Sequence, residues 1–365
     1  MVTDRDAFFM RKALQLAERG RGQTSPNPMV GAVVVNREGA VVGCGAHERA
    51  GGPHAEVEAL NEAGAAARGA TLYCTLEPCS HTGRTGPCAP VVADAGIARV
   101  VVPTADPNPL VAGRGLALLR ERGVEVTTGV LEREALRLNG AFFTVMRHGR
   151  PFVTMKIATS LDGKIAGRGG ARTHLTGAAA DRLVHRDRAE ADAIAIGSGT
   201  VLCDDPLLTA RGAYRARPLT RIIFDSRLRT PPSARIFTTL EAGPVIIAAS
   251  PEAAAGADGK IEALRRAGAG VEVVEGPDRL TSILGTLPER GITSLIVEGG
   301  ATLHEAFWNA GLVDRVQIYV SPRLVGDDGV GWLPFPVMNS PIIVERSARL
   351  VGDDTLLEAY VHRPD

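Results

Sequence analysis

Residue types that bind borderline metal ions occur in one order along the chain: His54-Ala55-Glu56, then Pro78-Cys79, then Pro87-Cys88. One imidazole and two thiolates suit zinc, and three protein ligands leave the fourth tetrahedral position to water. Glu56 follows His54 by two residues. If His54 stands at a helix start, that carboxylate lies in the first turn and reaches the water without ligating the metal. Such an ion lowers the pKa of its water from about 15.7 toward about 7. The expected chemistry is attack by that water on an electrophilic carbon, with Glu56 carrying protons to the leaving group. Each cysteine follows a proline, so a helix start is expected at both, where the dipole favours a thiolate.

This order is the signature of zinc nucleobase deaminases, with one departure. The usual signature has two residues between the cysteines; here there are eight, Ser80 to Pro87. A purely structural ion would take a fourth protein ligand, for which His81 and His47 are the available residues. Taken singly, His54 reads as a helix cap, Glu56 as a solvated side chain and the cysteines as buried thiols. Only the full set in this order points to a site. Cys44, Cys74 and Cys203 lie in apolar or strand-like settings and read as buried, inert thiols.

The elements that must position these groups follow from periodicity. Asp4 to Arg19 reads as a helix, with Phe9, Ala13, Leu16 and Ala17 at helical spacing. Strands are expected at 29–35, 40–42, 70–76 and 99–103, and helices from Pro53-His54 to Ala63, at 87–95 and at 111–122. The basic stretch from Met146 to Pro151 reads as a linker between domains 1–147 and 148–365. Beyond it, strands are expected at 152–158, 193–196, 221–225, 245–248, 271–274, 294–297 and 315–320. Helices are expected at 178–188, 260–267, 280–287 and 303–310. Strands alternating with helices predict α/β architecture in both halves.

A chain of 365 residues has room for two cores. The 41 basic and 41 acidic residues cancel, so no broad attraction to nucleic acid or an anionic membrane is expected. No secretory signal or membrane-spanning run is read, which predicts a cytoplasmic chain. In the second half, Gly197-Ser198-Gly199-Thr200 and Glu298-Gly299-Gly300-Ala301 each follow a strand, suiting close approach of backbone to a phosphate, or merely a tight turn. Neither completes Gly-x-Gly-x-x-Gly, and no Rossmann domain is inferred.

The segment His54-Ala-Glu-Val with Thr75-Leu-Glu-Pro-Cys-Ser-His-Thr-Gly-Arg-Thr-Gly-Pro-Cys88 closely resembles the bacterial bifunctional riboflavin-biosynthesis deaminase/reductases. The eight-residue gap is typical of that family. Ser25-Pro-Asn-Pro28, Asp106-Pro-Asn-Pro-Leu-Val-Ala-Gly-Arg-Gly115, Ser160-Leu-Asp-Gly163, Thr200-Val-Leu-Cys-Asp-Asp-Pro206 and Glu298-Gly-Gly300 extend the likeness over most of the chain. It implies a cytidine-deaminase-like three-layer domain followed by a dihydrofolate-reductase-like domain. It implies deamination of a diaminopyrimidinone ribosylamine 5′-phosphate, then NADPH-dependent reduction of the ribosyl group to ribityl. It also implies one Zn2+ per chain and a homo-oligomer.

By the same resemblance, His54, Cys79 and Cys88 hold the metal and Glu56 is catalytic. Asn27, His47, His81, Arg84, Asp106 and Asn108 line the deaminase pocket. Arg172, Arg188, Leu208, Arg211 and Glu298 contact the reductase substrate, the arginines as phosphate binders. Ala158, His174, Thr200, Asp204, Ser226 and the stretch Gly300, Ala301, Thr302 contact NADPH. Lys156 and Glu298 are expected as polarising or acid groups. The chain departs from the family at Arg172, where a small polar residue is usual, and at His174, where an aromatic residue is. Those departures motivate a second reading, a deaminase with a degenerate reductase half. A third, a nucleic-acid editor or binder on a deaminase fold, is opposed by the zero net charge and the lack of an aromatic–basic stripe.

Overall fold

The computed structural model describes residues 3–80, 86–108, 111–171, 173–276, 278–333 and 337–361. The chain divides between His148 and Gly149 into two compact units. Residues 146–148, expected in a linker, are still helical.

The first unit contains α1 (Asp4–Ala17), β1 (Gly31–Val35), β2 (Val41–Ala46), α2 (Ala55–Ala63), β3 (Thr71–Cys74), α3 (Cys88–Asp94) and β4 (Arg99–Val101). It closes with α4 (Arg114–Glu121), β5 (Glu125–Thr127), α5 (Glu132–Leu138) and α6 (Gly140–His148). The sheet order is β2-β1-β3-β4-β5. β1 is antiparallel to β2 and β3, and the later pairs are parallel. Every residue of β1 is buried, because the strand has an apolar layer on each face. Ala32 and Val34 pack with α2, α3 and α4, while Val33 and Val35 pack with Phe9, Met10 and Ala13 of α1. This is the expected three-layer arrangement.

Helix α2 lies against the edge strand unusually closely. A Cβ on Gly43 or Gly45 would stand 2.1 Å from the carbonyl oxygen of Ala59 or Ala55. The Gly-Cys-Gly run of β2 therefore sets the depth of the helix that follows His54. Glu58 and Glu62 of α2 accept the amides of Ala46 and Cys44, satisfying donors that an edge strand would otherwise leave open.

Asp6 joins α1 to the sheet. It completes a capping box with Thr3 and accepts hydrogen bonds from Tyr73 and from both terminal nitrogens of Arg99. Burial alone would raise this carboxyl; the bonds from Arg99, Thr3 and Tyr73 outweigh it and hold the group at about 2. A depressed folded-state pKa stabilises above the ordinary carboxylate pKa and loses that contribution as pH falls toward the folded value. Asp6→Asn is therefore expected to destabilise the chain by about 2 kcal/mol at neutral pH and to flatten the acid limb of stability between about pH 4 and 2. Denaturant titrations across that window check it; parallel wild-type and mutant curves would count against it.

The second unit contains β6 (Phe152–Ser160), β7 (Lys164–Ala166), α7 (Ala178–Glu190), β8 (Ala193–Gly197), α8 (Ser198–Asp204), β9 (Thr220–Phe224), β10 (Val245–Ala249), α9 (Pro251–Ala254) and α10 (Asp258–Arg266). These are followed by β11 (Ala269–Val273), α11 (Arg279–Thr286), β12 (Ser294–Val297), α12 (Ala301–Asn309), β13 (Arg315–Ser321), β14 (Val330–Gly331), β15 (Glu345–Val351) and β16 (Asp354–Tyr360). Nine strands order as β11-β10-β9-β8-β12-β6-β13-β16-β15, and β7 pairs with β14 in a separate ribbon. Only the β13-β16-β15 end of the sheet is antiparallel. Asp162 of the Ser-Leu-Asp-Gly segment accepts from Ser160 and from the amides of Val325 and Gly326, so that motif is a loop staple.

No helix among the described residues is long and apolar enough to cross a membrane.

Candidate active site

His54 is the N-cap of α2, with extended backbone and no capping bond from its ring. Glu56 thus falls in the first turn, but Pro53 lies outside the helix rather than at its first position. The His54 Nδ1 atom lies 3.1 Å from Cys88 Sγ and 3.6 Å from Cys79 Sγ. One donor atom from each of the three residues lies within 4.8 Å of the other two. Among the described residues no further histidine, cysteine or carboxylate joins that group. Cys88 opens α3 as expected. Cys79 does not open a helix; it lies in an irregular stretch after β3. Its sulfur nevertheless accepts the Cys88 amide at 3.3 Å, and its carbonyl accepts the Ala89 amide, so both thiols sit at the start of α3.

Titratable groups packed this closely share protons. Cys79 is lowered to about 4, chiefly by the hydrogen bond from Cys88 and then by His54, whereas the Cys88 thiol is pushed up by the same bond and by burial. His54 is raised by its bond to Cys79. Glu56 is buried, and burial lifts its carboxyl to about 7. Two thiols and an imidazole around one point, next to a buried acid, are a donor set that a zinc ion would complete.

His54, Glu56 and Cys79 border a cavity of about 280 Å3 that is also lined by Asn27, His47, Glu77, Asp106, Asn108 and Phe142. His47 donates from Nδ1 to the Pro53 carbonyl at 2.8 Å and accepts at Nε2 from the Asn27 amide at 3.1 Å. Those two bonds define a neutral tautomer, and burial, which lowers the His47 pKa, agrees with it. Asn27 itself is anchored from a distance. Asn139, between α5 and α6, exchanges two hydrogen bonds with the backbone of Met29. The expected pocket residues Asn27, His47, Asp106 and Asn108 therefore come together. His81 and Arg84 lie outside the described residues.

The second unit has a cavity of about 780 Å3. Thr200, Asp204, Ser226, Gly300, Ala301 and Thr302 line it; Ala158 and His174, expected beside them, do not. Ala158 packs with Leu183, Val184 and Tyr319 instead. His174 is largely exposed and faces Asp181 at 3.2 Å. Gly299 has φ +110°, and a Cβ on it would meet the Thr200 hydroxyl at 2.7 Å, whereas Gly300 opens onto clear space as N-cap of α12. A glycine turn leading into a helix N-terminus at a cavity wall fits a phosphate-bearing cofactor such as NADPH. Cys203, expected to be buried, is exposed and lines this cavity.

Lys156 of β6, Glu298 after β12 and Arg188 of α7 form a buried cluster. Arg188 binds Glu298 in bidentate fashion at 2.8 and 2.7 Å, and Lys156 Nζ stands 3.6 Å from the same carboxylate. Burial would raise Glu298, but Arg188 and Lys156 outweigh it and hold the carboxyl at about 2. Burial lowers Lys156. The Arg188 guanidinium, expected on a phosphate, binds Glu298 and the Thr209 carbonyl in the structure. Leu208 has its side chain in the apolar cluster with Ile194 and Ile196, its backbone at φ +53°. Arg211 is exposed and lies against the His185 ring, a neighbour that sequence reasoning passed over. Arg172 lies outside the described residues.

Fold and site together define a chain with a zinc-binding deaminase region followed by a reductase domain. The model of the cytidine and deoxycytidylate deaminase zinc-binding region matches residues 3–104, and that of the RibD C-terminal domain matches residues 151–353. The riboflavin biosynthesis protein RibD of Aquifex aeolicus is 44% identical over 90% of this chain and 90% of its own. That of Escherichia coli is 40% identical over 96% and 98%. An Acinetobacter baumannii RibD structure superposes with a TM-score of 0.86 at 36% identity, covering 98% of both chains. A Thermotoga maritima structure, described as a diaminohydroxyphosphoribosylaminopyrimidine deaminase/5-amino-6-(5-phosphoribosylamino)uracil reductase, does so at 0.83 and 34%, with the same coverage. The chain belongs to the RibD family of riboflavin biosynthesis proteins. Both halves have the folds expected of it, cytidine-deaminase-like and dihydrofolate-reductase-like.

Proposed function

We propose that the first half hydrolyses the amino group of 2,5-diamino-6-ribosylamino-4(3H)-pyrimidinone 5′-phosphate, and that the second half reduces the product's ribosyl chain to ribityl with NADPH. The observation that carries the first step is the convergence of His54, Cys79 and Cys88 at the wall of a cavity that also holds Glu56. Those three residues would hold zinc, which when bound supplies Lewis acidity and an acidified water. Glu56, the first-turn carboxylate of α2 that lines the cavity, takes a proton from water and returns protons to the ring nitrogen and the departing ammonia. Asn27, held by His47, offers amide donors and acceptors to a pyrimidine edge, with Asp106 and Asn108 lining the same cavity. His81 and Arg84 are proposed for the remaining contacts, with the phosphate matched to Arg84.

For the second step, the residues lining the larger cavity from Thr200 to Ser226 and from Gly300 to Thr302 would hold NADPH, which supplies the hydride for C1′. Ala158, His174 and Arg172 remain proposed contacts by family resemblance. The two acid candidates separate by their environments. Glu298, held near 2, carries no proton at neutral pH. Lys156, lowered by burial, gives up its proton more readily than an exposed lysine. We assign Lys156 as proton donor and Glu298 as its fixed counter-ion, oriented by Arg188; Arg211 then serves the substrate phosphate. The intact cavity and ionic cluster support an active reductase over a degenerate one. Two further readings remain proposed: a cytoplasmic location, read from the sequence, and a homo-oligomer, carried by family resemblance and checked by light scattering.

The direct test supplies the diamino substrate with and without NADPH and follows product masses. Without NADPH, the product should show NH replaced by O; with it, two further hydrogens. Unchanged substrate in both arms would overturn the reading. In parallel, Cys79→Ser should weaken zinc binding by more than the roughly 10–100-fold that loss of an outer-sphere partner costs. Full zinc occupancy in that variant, measured by elemental analysis, would remove Cys79 from the site.

A further inference from the structure

Glu77 lies two residues before Cys79 and is buried, yet the deaminase chemistry above makes no use of it. Its side chain accepts four backbone amides. Oε2 takes those of Asp106 at 3.0 Å and Gly113 at 2.8 Å, and Oε1 those of Gly115 at 2.8 Å and Leu116 at 3.2 Å. Gly113 is the N-cap of α4, so two of the four donors are first-turn amides that have no partner within the helix. The chain leading into α4 is thus tied at both ends to one carboxylate. Asp106 passes the constraint on, because its own carboxylate accepts the Asn108 amide at 2.8 Å. Asp106 and Asn108 both line the deaminase cavity.

The approach needs a particular residue on the other side. A Cβ on Gly115 would lie 2.0 Å from the Pro78 carbonyl oxygen and 3.1 Å from Glu77 Oε1. Glycine there lets the start of α4 press directly on the Glu77-Pro78-Cys79 stretch. One short segment therefore carries a metal-site thiol and grips the cavity-lining residue Asp106 and the start of α4.

We propose that Glu77 is a positioning residue of the deaminase: it fixes the distance between Cys79 and the wall formed by Asp106 and Asn108, and through that distance sets substrate affinity. The proposal rests on the deaminase reading of this cavity. Although Glu77 borders the cavity, its carboxylate accepts four backbone donors, so it supplies no acid–base group to the reaction. Its loss should move the wall without removing any reacting group.

The test uses the full-length, zinc-loaded chain with Glu77→Gln, which keeps one acceptor oxygen and turns the other position into a donor facing two amides. Zinc content should stay at one per chain. KM for the diamino substrate should rise about tenfold or more, as expected for lost charge-assisted bonds, with kcat falling by much less. Amide hydrogen exchange at Asp106, Gly113, Gly115 and Leu116 should accelerate together. Adding Asn108→Ala should then raise KM by a smaller factor than it does in the wild type, because the wall is already displaced. An unchanged KM, or a raised KM with those amides exchanging at the wild-type rate, would overturn the proposal. Should Glu77→Gln fail to fold, Gly115→Ala moves the same wall with the carboxylate intact and must raise KM likewise; an unchanged KM overturns the idea equally. If the wild-type chain deaminates nothing, the deaminase reading fails, while protection of the four amides still reports the staple.

Discussion

Glu56→Gln is expected to abolish deamination while leaving zinc and the reductase step intact. Glutamine keeps the size and the hydrogen-bonding oxygen of glutamate but cannot accept and return a proton. The side chain is buried at the cavity wall and forms no part of the three-residue donor group, so the metal site should survive the change. Positioned acid–base groups contribute roughly 10²–10⁴-fold each, and a residue that moves several protons in one turnover should lie at or beyond the upper end. Turnover of the diamino substrate, measured beside zinc content, checks this. Near-wild-type turnover at full zinc occupancy would contradict the proton-carrier role.

Lys156→Ala is expected to produce the complementary phenotype, with deamination retained and reduction lost. Glu298 remains satisfied after the substitution, because both its oxygens still accept from Arg188. The cost to folding should therefore be modest even though the lysine is largely buried. The reduction step should fall by about 10² or more, the lower range for removing a placed proton donor. Deaminated intermediate should then accumulate even with excess NADPH. Arg188→Ala differs, since it strips the bidentate partner from a buried carboxylate, and it should cost stability as well as rate. Unimpaired reduction by Lys156→Ala would reassign the donor.

The order of His54, Glu56, Cys79 and Cys88 made the metal centre legible because zinc chemistry demands those residue types, and no core does. The fully apolar β1 and the periodic α1 and α2 were legible for the same kind of reason: burial on known faces imposes a pattern. Other parts carried no such pattern. β15 is exposed along nearly its whole length and reads Glu-Arg-Ser-Ala-Arg-Leu-Val, so nothing in its alternation marks a strand. β7 and β14 are too short to show a period. Helices α5 and α6 were overlooked, and with them Asn139 and Phe142, which steady and line the deaminase cavity.

Roles assigned by residue type were less secure than those assigned by constellation. Arg188 was expected on a phosphate because guanidinium suits one; residue type gave no sign of the carboxylate it also binds, brought up from 110 positions along the chain. Glu77 was invisible for a related reason. Its partners are backbone amides, which every residue but proline possesses, so its role leaves a trace only in Gly113 and Gly115.

The claim on which most of this depends is the coordination of a single zinc ion, and X-ray absorption at the zinc edge of the purified full-length chain measures it directly. The expected spectrum has one zinc per chain bound by two sulfurs at about 2.3 Å and by one imidazole nitrogen and one exchangeable oxygen at about 2.0–2.1 Å. A shell of four protein donors, or a chain purified under metal-replete conditions that binds no zinc, would contradict it.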